Sequence, residues 1–591
     1  MTALSILYRS KQWRTQDAVH GFIVLPGVAR FVIDHPVFQR MREIKQLGVA
    51  NYVYAGALHN RFTHSIGTAY LAMEVLKQLD QVQVGIDAVA IPCKFDFTVQ
   101  DLVCCLVAAL CHDLGHPAFS HMFEQFVRTR YPDWDHEIAS NLLVEQLWAD
   151  VRPNIEKSLP GVVFTSRDLD FIKEMIDPPK GKMIASLERG TLMQDWNDKI
   201  GITGRDCRYS FMYEIVSNWR GGLDVDRLDY FMRDAFYLSF NFPFNTKKYI
   251  DDLRLMRCHS KSDNCVADEN CGNPATTNEA SPAPHLWTIA SSRKGKSELE
   301  WAVFDYRIQI YQRAYRHAAV CKVELHYVRA MLKLNEDTDI LNFARLDDNF
   351  NYRNYMLLDD SYVMAAIKQN PKARSYYDFC VSRRNLMLQL IEIPVPISAV
   401  IDKNMFVQEL SDSVKDLDVD LQELKDGIIV LEDKFHRGNK HEDPCKWLMF
   451  HDSKGANAAK LGRDIPSEYS AHAQDNMKKQ VSIYFDPPLE PKDDGSGELQ
   501  YKYSPDFKAL LLNRLYAAAD RIRSNAYASD GCGVGGPTAD TSGTTAETNG
   551  SSQGGKRKLE RKVTPINVPD LDRQLFSPYS ASPGKKWRCE S

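Results

Sequence analysis

Apolar residues recur at helical spacing through most of the chain up to about residue 400. HPVFQRMREIKQLG carries Val37, Met41 and Ile44 on one stripe, with Pro36 suited to a first helical turn and Gly48 to a helix end. We therefore expect a helix there. The same spacing predicts helices in TAYLAMEVLKQL, DLVCCLVAALCHD, DRLDYFMRDAFYL and ELEWAVFDYRIQIYQRAYRHAAV.

The pattern changes after about residue 400. SAVIDKNMF, GIIVLED and KQVSIYFDPP predict short strands, and SPDFKALLLNRLYAAADRIRS predicts a helix. Residues 259–285 are polar and rich in helix breakers, which indicates a surface insertion. From about residue 528 a Gly/Ser/Thr-rich run has too little apolar content to offset the entropy of ordering, so we expect a disordered tail.

This organisation predicts a mainly α protein with a smaller mixed α/β C-terminal lobe. We expect four parts in chain order: an N-terminal extension, a helical domain that contains the insertion, the lobe and the tail. Their expected bounds are 1–15, 16–400, 401–527 and 528–591.

Composition narrows the class of protein. A formal charge of -5 and a pI near 6.4 give no global attraction to nucleic acid or membrane, so any attraction to phosphate must be local. The 13 cysteines form no C-x-x-C pair and are too sparse for a disulfide scaffold. The N-terminus has no signal-like apolar region and no apolar run is long enough to span a bilayer. An intracellular, reducing compartment is expected.

Residues 111–123, CHDLGHPAFSHMF, place ligand-capable groups directly after an apolar run. If the helix ends at Gly115 and Pro117 starts the next, then His112 and Asp113 lie at the helix end. His116 then falls in the corner, and His121 lies about one turn into the following helix. Imidazole and carboxylate together suit Fe, Mn or Zn, and Mg less well.

Other segments supply partners for this corner. HNRFTHS places His64 one helical turn after Arg61, DWDHEIAS supplies His136, and GGLDVDRLDYFMRD supplies Asp226 near a helix start. A cation held by His64, His112, Asp113 and Asp226 would keep open positions for water and a substrate oxygen. Each of these residues alone has an ordinary structural explanation. A single histidine is explained as a packed core residue, and Asp224 or Asp226 as the N-cap of a helix. Only the joint pattern indicates a site.

With these motifs the chain resembles the HD-domain phosphohydrolases, and within them the dNTP triphosphohydrolases that combine a SAM and an HD domain, here without the SAM domain. The likeness is strong over about residues 17–400, in DAVHGFI, HNRFTHSIGTAYLA, AALCHDLGHPAFSHMF, FMYEIVSNWRGGLDVDRLDYFMRDAFYL and QRAYRHA, and faint to about 527. It implies an all-helical HD core and cleavage of a dNTP into a deoxynucleoside and inorganic triphosphate.

The resemblance also implies roles for individual residues. The metal ligands are those named above, Arg61 meets the substrate phosphates and base region, and His136 is the general acid in a phosphate channel shared with His116 and His121. Glu124 stands where the family has Asp. Substrate contacts are implied for Gln46, Val53, Arg227, Tyr230, Asp234, Arg307, Tyr311 and Tyr315. Tyr311 replaces a family histidine, which leaves its role open, and Arg227 replaces a lysine.

Regulation is implied in the same way. The family forms dimers and tetramers bridged by guanine nucleotides and dNTPs, with GTP or dGTP as the activator and Mg accompanying the nucleotide. The matching positions are Asp34, Gln39, Arg42, Arg254 and Arg293. Two ordinary alternatives stay open: Asp34 as the cap of the following helix and Arg42 as a solvated surface residue. Trp13 or Arg14, and Gly295, stand where the family has lysines.

The tail carries short motifs that indicate nuclear import and docking of a cyclin with its kinase. They are KRKLERK (556–562), RQLF (573–576), Thr564-Pro565, Ser577-Pro578 and Ser582-Pro583. Such matches also arise by chance in solvated disorder. We expect a nuclear or cytoplasmic protein.

Two other functions compete. An HD phosphohydrolase acting on another nucleotide, such as a monophosphate, a cyclic nucleotide or an alarmone, is disfavoured because DYFMRD and QRAYRH match the triphosphate and deoxyribose pocket. A nucleotide-gated single-stranded nucleic-acid-binding protein is disfavoured because no RNP or OB signature occurs and the net charge is acidic.

Overall fold

The computed structural model describes residues 2–9, 11–84, 95–258, 286–382, 387–395, 403–438, 443–451, 459–465, 477–491 and 499–529. Its α-helices are α1 (Ala3–Leu7), α2 (Ala29–Ile33), α3 (Pro36–Arg40), α4 (Arg61–Val84), α5 (Val99–Cys111), α6 (His121–Val127), α7 (His136–Ser158), α8 (Ser166–Ile176), α9 (Lys180–Glu188), α10 (Leu192–Asp195), α11 (Val225–Leu238), α12 (Thr246–Asp251), α13 (Lys296–Leu299), α14 (Asp305–Ile310), α15 (Ala318–Thr338), α16 (Tyr352–Tyr355), α17 (Asp360–Gln369), α18 (Pro371–Ser382), α19 (Lys403–Asp412), α20 (Leu421–Gly427) and α21 (Pro505–Ser529). Short π-helical segments, Glu300–Phe304 and Tyr311–Tyr315, extend α13 and α14 without a break.

The strands are β1 (Trp13–Asp17), β2 (Gly21–Leu25), β3 (Arg254–Cys258), β4 (Leu286–Ser292), β5 (Leu388–Val395), β6 (Ile428–His436), β7 (Met449–His451), β8 (Ala459–Leu461), β9 (Met477–Phe485), β10 (Leu489–Pro491) and β11 (Leu499–Tyr501). They form two two-stranded sheets, β1-β2 and β10-β11, a four-stranded sheet β3-β4-β7-β8 and a three-stranded antiparallel sheet β5-β9-β6. Only β4 and β7 pair in parallel among the described strands. The mainly α class with a smaller mixed lobe is confirmed.

Two main cores divide the molecule. The large one joins the helices between α1 and α18 and also takes in Trp447, Phe450 and neighbouring residues around β7. The smaller one lies between the three-stranded sheet and helices α19 and α21. Helix α5 is the most completely buried helix of the large core, because its residues 102–111 are all apolar. A Thr98–Asp101 capping box starts the helix. No helix among those described combines the length and apolarity that crossing a membrane requires.

The predicted helix in HPVFQRMREIKQLG is much shorter than expected. Pro36 does begin it, but α3 ends at Arg40, a short 3-10 turn follows to Glu43, and Ile44 is extended. The chain leaves the helix because its backbone pairs elsewhere: Ile44 O accepts from Arg61 N at 2.9 Å. Tertiary hydrogen bonding overrides the helical stripe here.

Of the four elements predicted after residue 400, three are confirmed and one is wrong in its described part. The strands in GIIVLED and KQVSIYFDPP and the helix in SPDFKALLLNRLYAAADRIRS are confirmed as β6, β9 and α21. The strand in SAVIDKNMF is wrong for residues 403–406, which begin α19, because Phe406 and Leu410 pack at helical spacing into the small core. Residues 398–402, the insertion 259–285 and the tail from 530 lie outside the described residues.

Candidate metal centre and nucleotide cavity

A tight corner between α5 and α6 positions the first ligands. His112 is the C-cap of α5. A Cβ on Gly115 would lie 2.1 Å from His136 O and 2.3 Å from Ser140 N, so only glycine lets α7 approach this closely. The next helix begins at His121 and not at Pro117, so His121 is its first residue, without the turn that we expected before it.

Unusual backbone conformations shape the rest of this corner. Phe119 and Ser120 have φ values of 60° and 55°, in the left-handed region that non-glycine residues rarely adopt. The corner is held from outside: Arg40 Nη2 donates to Leu114 O at 2.7 Å and to His116 O at 2.9 Å, and Asp360 Oδ1 accepts from Phe119 N at 2.7 Å. This buried scaffold fixes where the corner's imidazoles lie.

Four predicted ligands converge although they come from three parts of the chain. His64 Nε2 and His112 Nε2 are 3.2 Å apart, and Asp226 Oδ1 lies 2.9 Å from the first and 3.4 Å from the second. Asp113 Oδ2 lies 3.4 Å from His64 Nε2. Asp226 reaches this point from the first turn of α11, whose N-cap is Asp224.

The second nitrogens of both histidines are already engaged. His64 Nδ1 pairs with Asp229 Oδ2 at 2.7 Å, and His112 Nδ1 pairs with Ala109 O at 3.0 Å. Asp229 also contacts His20 Nε2 at 2.6 Å and the guanidinium of Arg233. These partners leave each Nε2 facing the cluster, as metal-binding histidines require, so the residues fit a transition metal.

Electrostatics at the cluster favour a bound cation. Burial opposes protonation of His64, but hydrogen bonds to Asp226 and Asp229 outweigh it and raise its pKa to about 10. Burial opposes ionisation of Asp113, yet Arg61, His112 and His116 hold its pKa well below the usual range. Carboxylates that stay ionised around two inward-facing imidazoles select positive charge.

A second cluster of histidines lies beside the first. Glu124 Oε1 is 3.0 Å from both His121 Nδ1 and His136 Nδ1. The His116 and His136 rings stack at 3.9 Å, and His116 Nε2 is 3.4 Å from Asp113 Oδ1. Burial lowers the pKa of His136, but the Glu124 carboxylate outweighs it, so the pKa is raised. Burial, Arg61 and His136 hold the pKa of His116 well below its usual value.

One cavity of about 420 Å³ joins both clusters. Eleven of the predicted site residues line it: Gln46, Arg61, Asp113, His116, His121, His136, Asp226, Tyr230, Asp234, Tyr311 and Tyr315. Two further predicted ligands, His64 and His112, touch Asp226 from behind the wall. Val53, Arg227 and Arg307 are not part of the lining. The volume lies in the range typical of small-molecule sites.

Comparison with known proteins identifies the segment that carries most of this chemistry. A protein-family model described as the HD domain matches residues 61–157. This segment is an HD domain. It supplies His64, His112, Asp113 and the second histidine cluster, whereas Asp226 reaches the HD domain from α11.

The chain is also similar to enzymes named deoxynucleoside triphosphate triphosphohydrolase SAMHD1. The Danio rerio protein is 40% identical over 261 residues, which are 44% of this chain and 39% of that protein. The Homo sapiens protein is 38% identical over 262 residues, 44% and 38% of the two chains. The putative HD domain-containing protein L394 of Acanthamoeba polyphaga mimivirus is 29% identical over 260 residues, 43% and 48%. The match thus spans less than half the length of these relatives.

Two predicted phosphate-binding arginines that do not line the cavity, Arg227 and Arg307, each have a buried nitrogen without a hydrogen-bond partner among the described residues. Arg227 Nε and Nη1 are buried without a hydrogen-bond partner in the part of the chain that the structure describes. Arg307 lies 4.2 Å over the Tyr311 ring and donates from Nη1 to His436 O. The expected common face of Arg307, Tyr311 and Tyr315 is present, with the two tyrosine rings 4.8 Å apart.

The residues predicted to bind a regulatory nucleotide lie in two separate parts of the chain, residues 34–42 and residues 254–293. Asp34 is the C-cap of α2, and His35 caps α3, so Asp34 does not cap the following helix. Gln39 accepts from Arg42, whose guanidinium lies 3.5 Å over the Phe62 ring. The remaining pair is Arg254 on β3 and Arg293 just after β4.

Sequence reasoning missed two charged residues in the cavity. Arg316 and Glu324 line it beside Tyr315. The π-helical segment before Arg316 and the first turns of α15 bring them there. QRAYRHA contained Arg316, but no local pattern distinguished it from a surface arginine.

Proposed function

We propose that the chain is a metal-dependent hydrolase that cleaves dNTPs into a deoxynucleoside and inorganic triphosphate. The observation that carries this proposal is the single cavity that joins a cation-selective ligand set to a carboxylate-supported histidine and to a Tyr315–Asp234 pair. The names of the SAMHD1 relatives support the same reaction.

The cation would be held by His64, His112, Asp113 and Asp226. Fe, Mn or Zn suits this mixed set of nitrogen and oxygen donors, and Mg would accompany the nucleotide. Bound there, the metal would supply Lewis-acid polarisation of the α-phosphate and of the attacking water.

The chain's own residues would manage the proton and the phosphate charge. Water adds its oxygen to the α-phosphorus and releases a proton to solvent, and the bond from that phosphorus to the 5′ oxygen breaks. The 5′ oxygen leaves with a proton from His136 Nε2, because Nδ1 is held by Glu124. Arg61, which donates to Asp113 from Nη1 at 2.6 Å, would orient the phosphates through its remaining donors.

Arg227 supports a polyphosphate substrate. A buried guanidinium with two unpaired donor atoms is costly unless an anion arrives, and the planar fork suits phosphate. Arg307 would add a second positive charge beside Tyr311.

The sugar would meet the tyrosines. Tyr315 donates its hydroxyl to Asp234 Oδ2, and His59 Nε2 lies 2.6 Å from Asp234 Oδ1. A fixed tyrosine packed against the sugar leaves little room for a 2′-hydroxyl, and Asp234 would accept from the 3′-hydroxyl. Gln46 would complete the wall beside the sugar and base, whereas Val53, which does not line the cavity, is assigned no contact.

The test is incubation of the purified chain with each dNTP and NTP, with and without GTP, resolving triphosphate from single phosphates. We expect triphosphate and deoxynucleoside, and no product from the His112→Ala, Asp113→Ala double variant. Release of single phosphates, or turnover only of a monophosphate, cyclic nucleotide or alarmone, would contradict the proposal.

We further propose guanine-nucleotide activation through a nucleotide-bridged dimer or tetramer. Asp34, Gln39 and Arg42 would read the guanine, and Arg254 and Arg293 would bind a second nucleotide. Light scattering with GTP or dGTP present should show a larger particle, which Arg42→Ala should abolish. Particle mass and activity that do not respond to GTP would refute this regulation.

For the tail we propose nuclear import through residues 556–562 and docking of a cyclin–kinase pair at 573–576. The support is sequence alone, since these residues lie outside the described part. A reporter fused to residues 530–591 should enter the nucleus and lose that ability when the Lys and Arg residues of 556–562 become Ala.

A further inference from the structure

The cavity contains a charged group that the proposed reaction does not use. Arg316 Nη1 lies 3.7 Å from Glu324 Oε2, beyond hydrogen-bond range, and Arg316 Nε lies 2.7 Å from Asp433 Oδ1 on β6. The side chain of Gln125, another lining residue, also faces the Glu324 carboxylate. Two carboxylates therefore face one guanidinium at the wall of a nucleotide-sized cavity.

This group is a poor place for phosphate. When all three residues are ionised their sum is one negative charge, which repels an anion in a partly desolvated cavity. The polyphosphate would be drawn instead to the cation proposed above and to Arg61 and Arg227. Of the substrate's parts, only the neutral base is left to occupy the space beside Arg316 and Glu324.

The surroundings suit a flat ring with a polar edge. Leu47, Ala50, Phe119, Met122 and Val320 supply apolar walls to the same cavity. The charged side chains of Arg316 and Glu324 are only 21% and 15% exposed, so an unmatched donor or acceptor opposite them would be penalised. Apolar faces with a few placed polar groups are the usual build of a selective site.

Base edges differ in how well they match this pair. Guanine alone offers two adjacent acceptors, O6 and N7, for an arginine fork and two adjacent donors, N1–H and N2–H, for a carboxylate. Thymine offers one donor between two acceptors, and the amino edges of adenine and cytosine point a donor where Arg316 also donates.

We propose that Arg316 and Glu324 read the edge of a guanine base, which makes dGTP the preferred substrate. This inference rests on the proposed function and adds a base specificity to it. Asp433 acts as a positioning residue, because its ion pair with Arg316 Nε leaves the terminal nitrogens of the guanidinium for the base. Ionised Glu324 is the acceptor, and burial raises the pKa of its carboxyl to about 7, so donors on the base would help keep it ionised.

The first test uses the unaltered full chain. Rates of triphosphate release are compared for the four dNTPs with GTP held constant, so that any activator is equally present. We expect kcat/KM for dGTP to exceed the others by about 10- to 100-fold, the range for one well-matched polar edge. Two analogues test the two contacts separately: dITP lacks the 2-amino donor to Glu324, and 7-deaza-dGTP lacks the N7 acceptor for Arg316. Both should be cleaved more slowly than dGTP.

Variants then test whether the preference for dGTP depends on Arg316 and Glu324. Arg316→Gln and Glu324→Gln should bring the four dNTPs to similar kcat/KM, and Glu324→Asp should restore part of the order. Arg329→Gln is the matched control, because it breaks an arginine–carboxylate pair, in which Arg329 Nε lies 3.0 Å from Asp486 Oδ2. Arg329 is on the same helix as Glu324 but does not line the cavity. The substitution should leave the order unchanged.

The outcomes separate the two proposals. Guanine recognition is refuted by equal cleavage of all four dNTPs, by a preference for dTTP, or by an order of kcat/KM that survives both glutamine variants. None of these results contradicts the proposed hydrolase activity. Absence of triphosphate from every dNTP refutes the hydrolase itself.

Discussion

Glu124 lies between two imidazoles, and its effect on His136 can be tested by titration. Because its carboxylate raises the pKa of His136, the protonated acid persists to higher pH, and activity should fall as pH rises through that pKa. Glu124→Gln should move this alkaline limb to lower pH and reduce kcat at pH 8 by about 10- to 100-fold, part of the usual contribution of a general acid. The measurement is a kcat–pH profile.

The control for that profile is Glu145→Gln. Glu145 is an exposed glutamate on α7, the helix that carries His136, and it pairs with Lys173. The substitution should not move the limb. An unchanged profile in Glu124→Gln would mean that His136 does not donate the proton.

A second prediction at the residue scale concerns Gly67 and the affinity for metal. A Cβ there would lie 1.9 Å from Asp229 Oδ1 and 2.5 Å from Arg233 Nη2, so Gly67→Ala must displace the carboxylate that orients His64. We expect metal affinity to fall by about 10- to 100-fold, as for other lost partners of a ligating histidine. Competitive titration with a chromophoric chelator measures it.

Gly181→Ala is the matched control for Gly67→Ala, since no atom lies within 4 Å of its added Cβ. Equal affinities in the two variants would show that Asp229 does not orient His64 for a metal.

At the scale of elements, the corner after α5 depends on how closely α7 packs. Gly115→Ala would place a methyl group 2.1 Å from His136 O, which must push the two helices apart. We expect a loss of about 1–3 kcal/mol in the free energy of unfolding, the usual cost of overpacking, measured by urea denaturation. We expect kcat to fall even under conditions where the variant is still fully folded, because His136 moves with α7. A variant as stable and active as Gly181→Ala would contradict this packing.

Elements also show what the sequence could and could not predict. Helices α4, α5 and α11 were predictable from their apolar residues, which form a buried stripe on α11 and nearly the whole of α5. Three ligands could be assigned because they lie on these helices or at the end of one. Helix α3 was overpredicted because backbone pairing of Ile44 with Arg61 has no signature in side-chain pattern. Arg316 and Glu324 were missed for a related reason: a charged residue facing a cavity looks like one facing solvent until the fold is known.

At the scale of the whole molecule, the C-terminal lobe contacts Arg307, one of the arginines that we propose to bind phosphate. Strand β6 of the lobe ends at His436, whose carbonyl accepts from Arg307. Arg437 Nη2 lies 2.6 Å from Oδ1 of Asp305, the first residue of α14. The sequence placed the lobe and the arginines in separate domains, and nothing in either pattern indicated this contact.

Gly438 allows a test of that contact from the lobe side. It has a φ of 133°, and a Cβ on it would lie 2.3 Å from Arg227 Nη1. Gly438→Ala should therefore displace the Arg227 guanidinium, raising KM for dNTPs by about tenfold, the effect of losing one charge-assisted contact to phosphate. Metal affinity should not change, because the three atoms nearest the added Cβ all belong to the Arg227 guanidinium and none to a metal ligand. Steady-state kinetics beside the chelator titration would separate the two. A variant with unchanged KM would mean that the lobe does not set the position of Arg227, and a parallel loss of metal would mean that the substitution disturbs the whole cavity.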